Sequence, residues 1–257
     1  MLIDRTLRAL ETSLHRDGLW GTARKAPKLA RYLRERVRGR AWYADWSAKE
    51  AAEGFDRRYG TDTSALVETF ELGLAGPNAD KAVRYEPAHV SDVERALAAL
   101  DVDPSRFTLV DLGSGKGRTL LVASRRAFKR LVGVELAPAL HAVAVENVRR
   151  WKAAGQPGEF SLECLDAARF EPPSGDLVYY LFNPFGRPVL EQVMQRLVDA
   201  LAAQPREVRI IYVFPAHRAV IEATGRFRSR HEDPRFTIFQ STPAPPRPTD
   251  SRTRRKG

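Results

Sequence analysis

The chain has 257 residues, with 42 Lys plus Arg against 32 Asp plus Glu, a formal net charge of +10 and one cysteine. Hydrophobic residues at 43% and charged residues at 29% match an ordinary globular domain, which excludes a collagen-like repeat, a wholly disordered chain and a disulfide scaffold. Cys164 alone can form neither an internal disulfide nor a cysteine-based zinc cluster, which fits a reducing compartment.

The positive charge sits at the ends. Residues 1–40 carry 11 basic and 4 acidic side chains, residues 241–257 carry 5 and 1, and the stretch between them has a net charge of −1. Arg outnumbers Lys 34 to 8, so no single arginine cluster is by itself diagnostic. Two helices are expected over 2–15 and 22–37, the first amphipathic, with Ile3, Leu7, Leu10 and Leu14 on one face. They read as an N-terminal helical extension or cap with a solvated basic face, or as a weak contact for nucleic acid or an anionic surface. No run reaches the roughly 18 apolar residues of a membrane span, and Met1-Leu2-Ile3-Asp4 leads into charge, so a cytoplasmic protein is expected. Residues 41–88 are rich in aromatics and broken by Gly and Pro. They complete an extension over 1–88 whose aromatics could cover a pocket or fill a core.

From residue 89 helices and strands alternate: a helix over 89–100, a strand over 107–111, a helix over 114–127 and a strand over 130–135. A helix over 138–154 follows, with Pro138 in its first turn, then strands over 160–164 and 176–182, a helix over 189–203 and a strand over 208–214. A short helix over 217–224 and strands over 227–230 and 236–239 complete a domain spanning 89–240. This alternation means crossover units and a largely parallel sheet, an α/β class. The Pro-rich, basic segment 241–257 is expected to be a disordered tail.

The stretch Asp111-Leu112-Gly113-Ser114-Gly115-Lys116-Gly117-Arg118 carries the most chemical information. A buried strand ends in an acid, turns through three glycines at alternate positions and opens a helix. Glycines there permit tight-turn angles and close approach of a ligand to the backbone. A phosphate-binding P-loop is excluded, because Lys116 is followed by Gly117 and position 110 is Val. The dinucleotide fingerprint places its third glycine at the sixth position, where this chain has Arg118, which weakens the NAD reading without removing it. Lys116 and Arg118 are cations at a helix N-terminus, an unfavourable place unless acids lie nearby.

The Asp-x-Gly-x-Gly-x-Gly loop resembles that of class I S-adenosylmethionine-dependent methyltransferases. Three further strand ends match in order: Glu135 after the second strand, Asp166-Ala167 after the third and Asn183-Pro184-Phe185 after the fourth. The resemblance implies a three-layer α/β/α Rossmann-like methyltransferase fold with a mostly parallel seven-stranded sheet and an N-terminal helical extension. It also implies S-adenosyl-L-methionine as cofactor. By this likeness Asp111, Gly113, Ser114, Gly115 and Gly117 hold the methionine end, Glu135 the ribose hydroxyls, and Asp166 with Ala167 the adenine.

Asn183-Pro184-Phe185 is similar to the motif with which amino-group methyltransferases hold their acceptor, with one proline fewer, and marks these three residues as catalytic candidates. Arg84-Tyr85-Glu86-Pro87 resembles the segment that precedes the cofactor strand in bacterial members similar to protein lysine methyltransferases. That places Tyr85 and Glu86 at the cofactor or acceptor entry, with Tyr59 and Phe185 as further candidate walls. The acceptor implied is a nitrogen nucleophile on a protein side chain or a small molecule. A nucleic-acid methyltransferase using the basic termini and a non-catalytic cofactor-binding module are the alternatives. No metal site is expected.

Overall fold

The computed structural model describes residues 50, 53–69, 71–74, 78 and 83–242. The helices expected over 2–15 and 22–37 and the tail beyond 242 lie outside the described residues. The strands are β1 (Phe107–Leu112), β2 (Arg130–Glu135), β3 (Phe160–Cys164), β4 (Asp176–Phe182), β5 (Val208–Val213), β6 (Phe227–Glu232) and β7 (Phe236–Ser241). They form one sheet in the order β3-β2-β1-β4-β5-β7-β6. Neighbours from β3 through β5 are parallel, and β7 runs antiparallel to both β5 and β6.

Every residue of β1 and of β5 is buried, the signature of strands covered on both faces by crossover helices. One face carries Leu109, Leu131, Val178, Tyr180 and Ile211. It packs against Val93 and Leu97 of α2 (Val90–Ala98) and Leu120 and Leu121 of α3 (Arg118–Ala123), joined by Trp151 of α4 (Pro138–Ala153). The other face carries Val110, Val132, Tyr179, Leu181 and Ile210 and is covered by α5 (Arg187–Ala203) and α6 (Arg218–Ala223). In α5 the buried residues Val189, Leu190, Val193, Met194, Leu197 and Leu201 recur at helical spacing. The result is three layers, α/β/α, as the sequence implies.

Several boundaries differ from expectation, among them the start of α3. The helix expected from residue 114 begins at Arg118, because Gly113, Gly115 and Gly117 hold φ values of +79°, +53° and +84°. These left-handed angles suit glycine and break a helix. The segment before residue 89 is built onto the sheet domain. Phe55, in the short helix α1 (Phe55–Tyr59), stacks on Trp151 with ring centroids 5.7 Å apart, and Tyr59 packs on the same indole at 4.6 Å. Trp151 is wholly buried, and its indole N–H donates to Ser124 Oγ and Pro157 O. Trp151→Ala is therefore expected to cost about 3–5 kcal/mol of stability, read as a lower denaturant midpoint in equilibrium unfolding; a midpoint equal to that of the parent would contradict this packing.

Candidate functional site

Beta strands β2 and β3 leave β1 on one side and β4 and β5 on the other, so the strand order reverses at β1. Open parallel sheets bind ligands at such a switch point, outside the carboxyl ends of the strands. An open cleft lies there, about 930 Å³ counting the solvent space at its mouth. Of the residues expected at the site, Tyr85, Glu86, Asp111, Gly113, Ser114, Glu135, Asp166, Ala167, Pro184 and Phe185 line it. Gly115, Gly117 and Asn183 do not. Tyr59, expected as a wall, belongs instead to the aromatic cluster around Trp151.

The glycines serve the fold's own side chains. A Cβ at Gly115 would fall 2.2 Å from the Tyr85 ring, and one at Gly113 would fall 2.5 Å from Pro184 Cβ. Tyr85 thus lies across the loop, its hydroxyl donating to Thr63 O at 2.8 Å. Gly117 takes its left-handed angle to start α3, against Ala144 of α4.

The two cations of the loop find their acids in the preceding segment. Lys116 Nζ donates to Asp62 Oδ1 at 2.8 Å. Arg118 is 2% exposed; its guanidinium forks onto both oxygens of Glu50 and also donates to Thr63 Oγ1 and Ala88 O. Burial opposes the charge of Arg118, but the Glu50 carboxylate more than offsets it. Asp56 ties the segment together by accepting from Thr61, Thr63 and Ser64. These bonds outweigh its burial and hold its carboxyl below the usual range. Asn147 of α4 donates to Asp62 O and Lys116 O while its own oxygen accepts from the Asp62 N–H. Glu50, Asp56, Asp62, Thr63 and Asn147 escape a motif reading; the sole signal for them is the electrostatic demand made by Lys116 and Arg118.

Four acids line the cleft, and one of them, Glu86, is paired with Arg84. Glu135 Oε2 accepts from Gly115 N and Oε1 from Ala137 N, so each oxygen keeps lone-pair capacity for a ligand donor. Burial raises its pKa, and these backbone bonds partly offset the rise. Asp166 accepts from Ala168 N with one oxygen and from Asn78 Nδ2 with the other. Asp111 is 3% exposed. Burial and then the nearby Glu135 push its carboxyl up to about 8, against the weaker opposing bond with Thr119. Asn183 holds a left-handed φ of +43° at the end of β4, a costly angle for a residue with a side chain. Its Oδ1 accepts from the Tyr212 hydroxyl at 3.4 Å, at the long limit for a hydrogen bond. Among the described residues, Glu50, Glu53 and His89 are the group whose ligand atoms converge as for a metal. Glu50 is committed to Arg118, however, and Glu53 caps α2 through Val90 N and Ser91 N.

This sheet order, with β7 antiparallel between β5 and β6, is that of the Rossmann-like methyltransferase fold. The chain has that fold. No family model and no curated protein matches the sequence. Among solved structures the chain is similar to a ribosomal protein L11 methylase from Lactobacillus delbrueckii subsp. bulgaricus, at 16% identity and a TM-score of 0.43 over 66% of this chain and 81% of the other. It is similar also to TrmN from Thermus thermophilus, at 19% identity and a TM-score of 0.43 over 60% of this chain and 49% of that one. An RNA methyltransferase from Salinibacter ruber, in complex with S-adenosyl-L-homocysteine, matches at 23% identity and a TM-score of 0.37 over 60% and 92%. Among the described residues no helix is long and apolar enough to cross a membrane.

Two tests follow from the geometry. Gly115→Ala is expected to destabilise the fold by about 1–3 kcal/mol, from its positive φ and the collision with Tyr85. In a double-mutant cycle with Tyr85→Ala the collision disappears, leaving a coupling of at least about 0.5 kcal/mol; strict additivity would refute the contact. The folded protein binds an extra proton at Asp111 between its ordinary value of 3.8 and about 8, so this group makes stability fall as pH rises through that window. Asp111→Asn removes the dependence. Its stability relative to the parent is expected to climb between about pH 4 and 8, by up to about 1.4 kcal/mol per unit, and to level off above; a pH-independent difference in urea unfolding would rule this out.

Proposed function

We propose that this protein is an S-adenosylmethionine-dependent methyltransferase that acts on a nitrogen nucleophile, either a protein side chain or a small-molecule amine. The observation that carries the proposal is the convergence of four strand ends, Asp111, Glu135, Asp166 and Pro184-Phe185, around one opening. The residues present fit the cofactor. Glu135 offers two oxygens for a pair of hydroxyls, Asp166 and Ala167 offer polar edges for a purine, and Leu72, Leu140 and Leu165 offer apolar walls. Bound there, the cofactor supplies a methyl group on a cationic leaving group.

The protein's part is alignment and exclusion of water. Phe182, Phe185, Pro184 and Val189 form the apolar side of the cleft. Phe214 packs on Phe182 with ring centroids 5.7 Å apart and is 49% exposed, and Val83, also lining the cleft, is 45% exposed. An apolar rim of this kind favours the aliphatic stem of an amine and lowers the amine's pKa, so that the neutral, nucleophilic form is reached near neutral pH. Arg84 at the cleft is paired with Glu86 Oε2 at 2.9 Å and presents little free positive charge to a phosphate backbone. This supports a protein or small-molecule amine over a nucleic acid. Asn183, directly before the cleft residues Pro184 and Phe185, is the residue proposed to orient an incoming N–H through Oδ1, which holds only the long Tyr212 contact.

Labelled methyl transfer from S-adenosylmethionine into the protein, RNA and small-molecule fractions of a lysate tests the proposal. Label is expected in protein or small amines. Asn183→Ala is expected to reduce transfer about 100-fold while leaving cofactor affinity within about twofold, the pattern of lost orientation. Absence of label from every fraction, together with no calorimetric binding of the cofactor, would discard the proposal.

A further inference from the structure

Two neighbouring strand ends carry residues in a costly backbone conformation. Strands β4 and β5 run parallel with Phe182 and Val213 paired in register, so the residues that follow, Asn183 and Phe214, leave the sheet side by side. Both hold a left-handed φ, +43° and +47°. Among the described residues one other non-glycine residue does so, Ala127, which ends a helical turn, where that conformation is ordinary. For a bulky aromatic residue a positive φ is an outlier that costs free energy.

The backbone of Phe214 is nevertheless fixed. Its N–H donates to Arg235 O at 2.7 Å, and its carbonyl accepts from the Ala216 N–H at 2.7 Å. Arg235 is itself anchored, its Nη1 donating to Asp92 Oδ2 of α2 at 2.6 Å. Burial does not reward the ring. Phe214 is half-exposed, one of three large apolar side chains so exposed among the described residues, and it packs on Phe182 with the two rings tilted by 40°. Phe182 lines the cleft, and Phe214 stands just outside the residues that do. This residue holds a strained backbone and forgoes the stabilisation of a buried ring. Such costs gather where a side chain is needed for binding.

We propose that Phe214 is the residue by which this site recognises its methyl acceptor, and that the acceptor it selects is an amine carried on a polypeptide instead of a free small amine. The inference rests on the methyltransferase reading and narrows it. Asn183 and Phe214 follow paired residues of neighbouring strands, which lie about 5 Å apart. Phe182 continues the apolar surface from the Phe214 ring into the cleft. An amine small enough to be enclosed gains its contacts from the lining residues and has no use for a ring outside them. An amine on a polypeptide enters on an aliphatic stem while its backbone stays outside, so the stem crosses the rim. Phe214 meets it there. The ring offers no hydrogen-bonding group and selects methylene groups by apolar contact, and its face attracts the arriving ammonium form.

Transfer of labelled methyl by the full chain into two fractions of one lysate, the dialysed protein and the small-molecule filtrate, tests this, with calorimetric binding of S-adenosylhomocysteine measured alongside. Label is expected in the protein fraction. Phe214→Gly accepts the left-handed φ and removes the ring. It is expected to keep S-adenosylhomocysteine affinity within about twofold and to lower the initial rate into dilute protein about tenfold or more, a loss that shrinks as the protein fraction is concentrated, the pattern of weakened acceptor binding. Phe214→Trp, which restores an aromatic face, is expected to stay within about threefold of the parent. A Phe214→Gly rate equal to the parent's, or one reduced equally at every protein concentration, would overturn the inference, and so would label confined to the filtrate. Loss of S-adenosylhomocysteine binding in Phe214→Gly would show that the ring serves the fold or the cofactor, and overturns it as well. A parent protein that binds neither S-adenosylmethionine nor S-adenosylhomocysteine and labels neither fraction overturns the methyltransferase reading, and the inference with it.

Discussion

A buried guanidinium organises this molecule. Arg118 opens α3 directly after the glycine loop, at a helix N-terminus where a positive charge is opposed by the helix dipole, and it is almost entirely withdrawn from water. It is tolerable only because Glu50 grips it with both carboxylate oxygens while Thr63 and Ala88 take further N–H groups. Removing one partner from such a pair typically costs about 3–5 kcal/mol, since the other is left charged in a poor solvent. The pair joins residues 68 positions apart. It fixes the segment around residues 50–63 to the loop that forms the floor of the cleft.

Tyr85 completes that attachment. Its ring occupies the space that a side chain at position 115 would fill, and its hydroxyl returns to Thr63, in the same segment that answers Arg118. The conformational freedom of Gly115 is thus used twice, once for a left-handed turn and once for an aromatic ring lying flat on the backbone. Since Gly115 N also donates to Glu135, the position of Tyr85 and the orientation of a cleft acid are set by the same short stretch of chain. Attachment of the N-terminal segment and preparation of the binding site are one piece of construction.

Charge is then distributed with a clear division. The basic groups of the loop are satisfied by the segment before it, and the acids at the strand ends line the cleft. Arg84 and Arg118, which also line the cleft, are paired with Glu86 and Glu50. The rim, with Val83 and Phe214 exposed, favours apolar contact. The overall charge of +10 plays no part in this arrangement, because its excess lies at the two ends of the chain.

Much of the fold was legible from local pattern. Short buried runs such as Leu177-Val178-Tyr179-Tyr180, punctuated by helices with apolar faces, specify crossover units, and a strand-end acid beside alternate glycines marks the binding edge. These are properties of neighbouring residues, and periodicity and turn chemistry are encoded locally. The start of α3, the partners of Lys116 and Arg118, the retreat of Tyr59 into the aromatic cluster and the inward turn of Tyr85 were not legible. Each depends on segments tens of residues apart meeting in space. The sequence alone determined the sheet, its helices and which strand ends carry acids. Only the tertiary structure decided which glycine admits a side chain instead of a ligand and which acids answer the cations of the loop. Those outcomes depend on burial and distance, and a linear pattern contains neither.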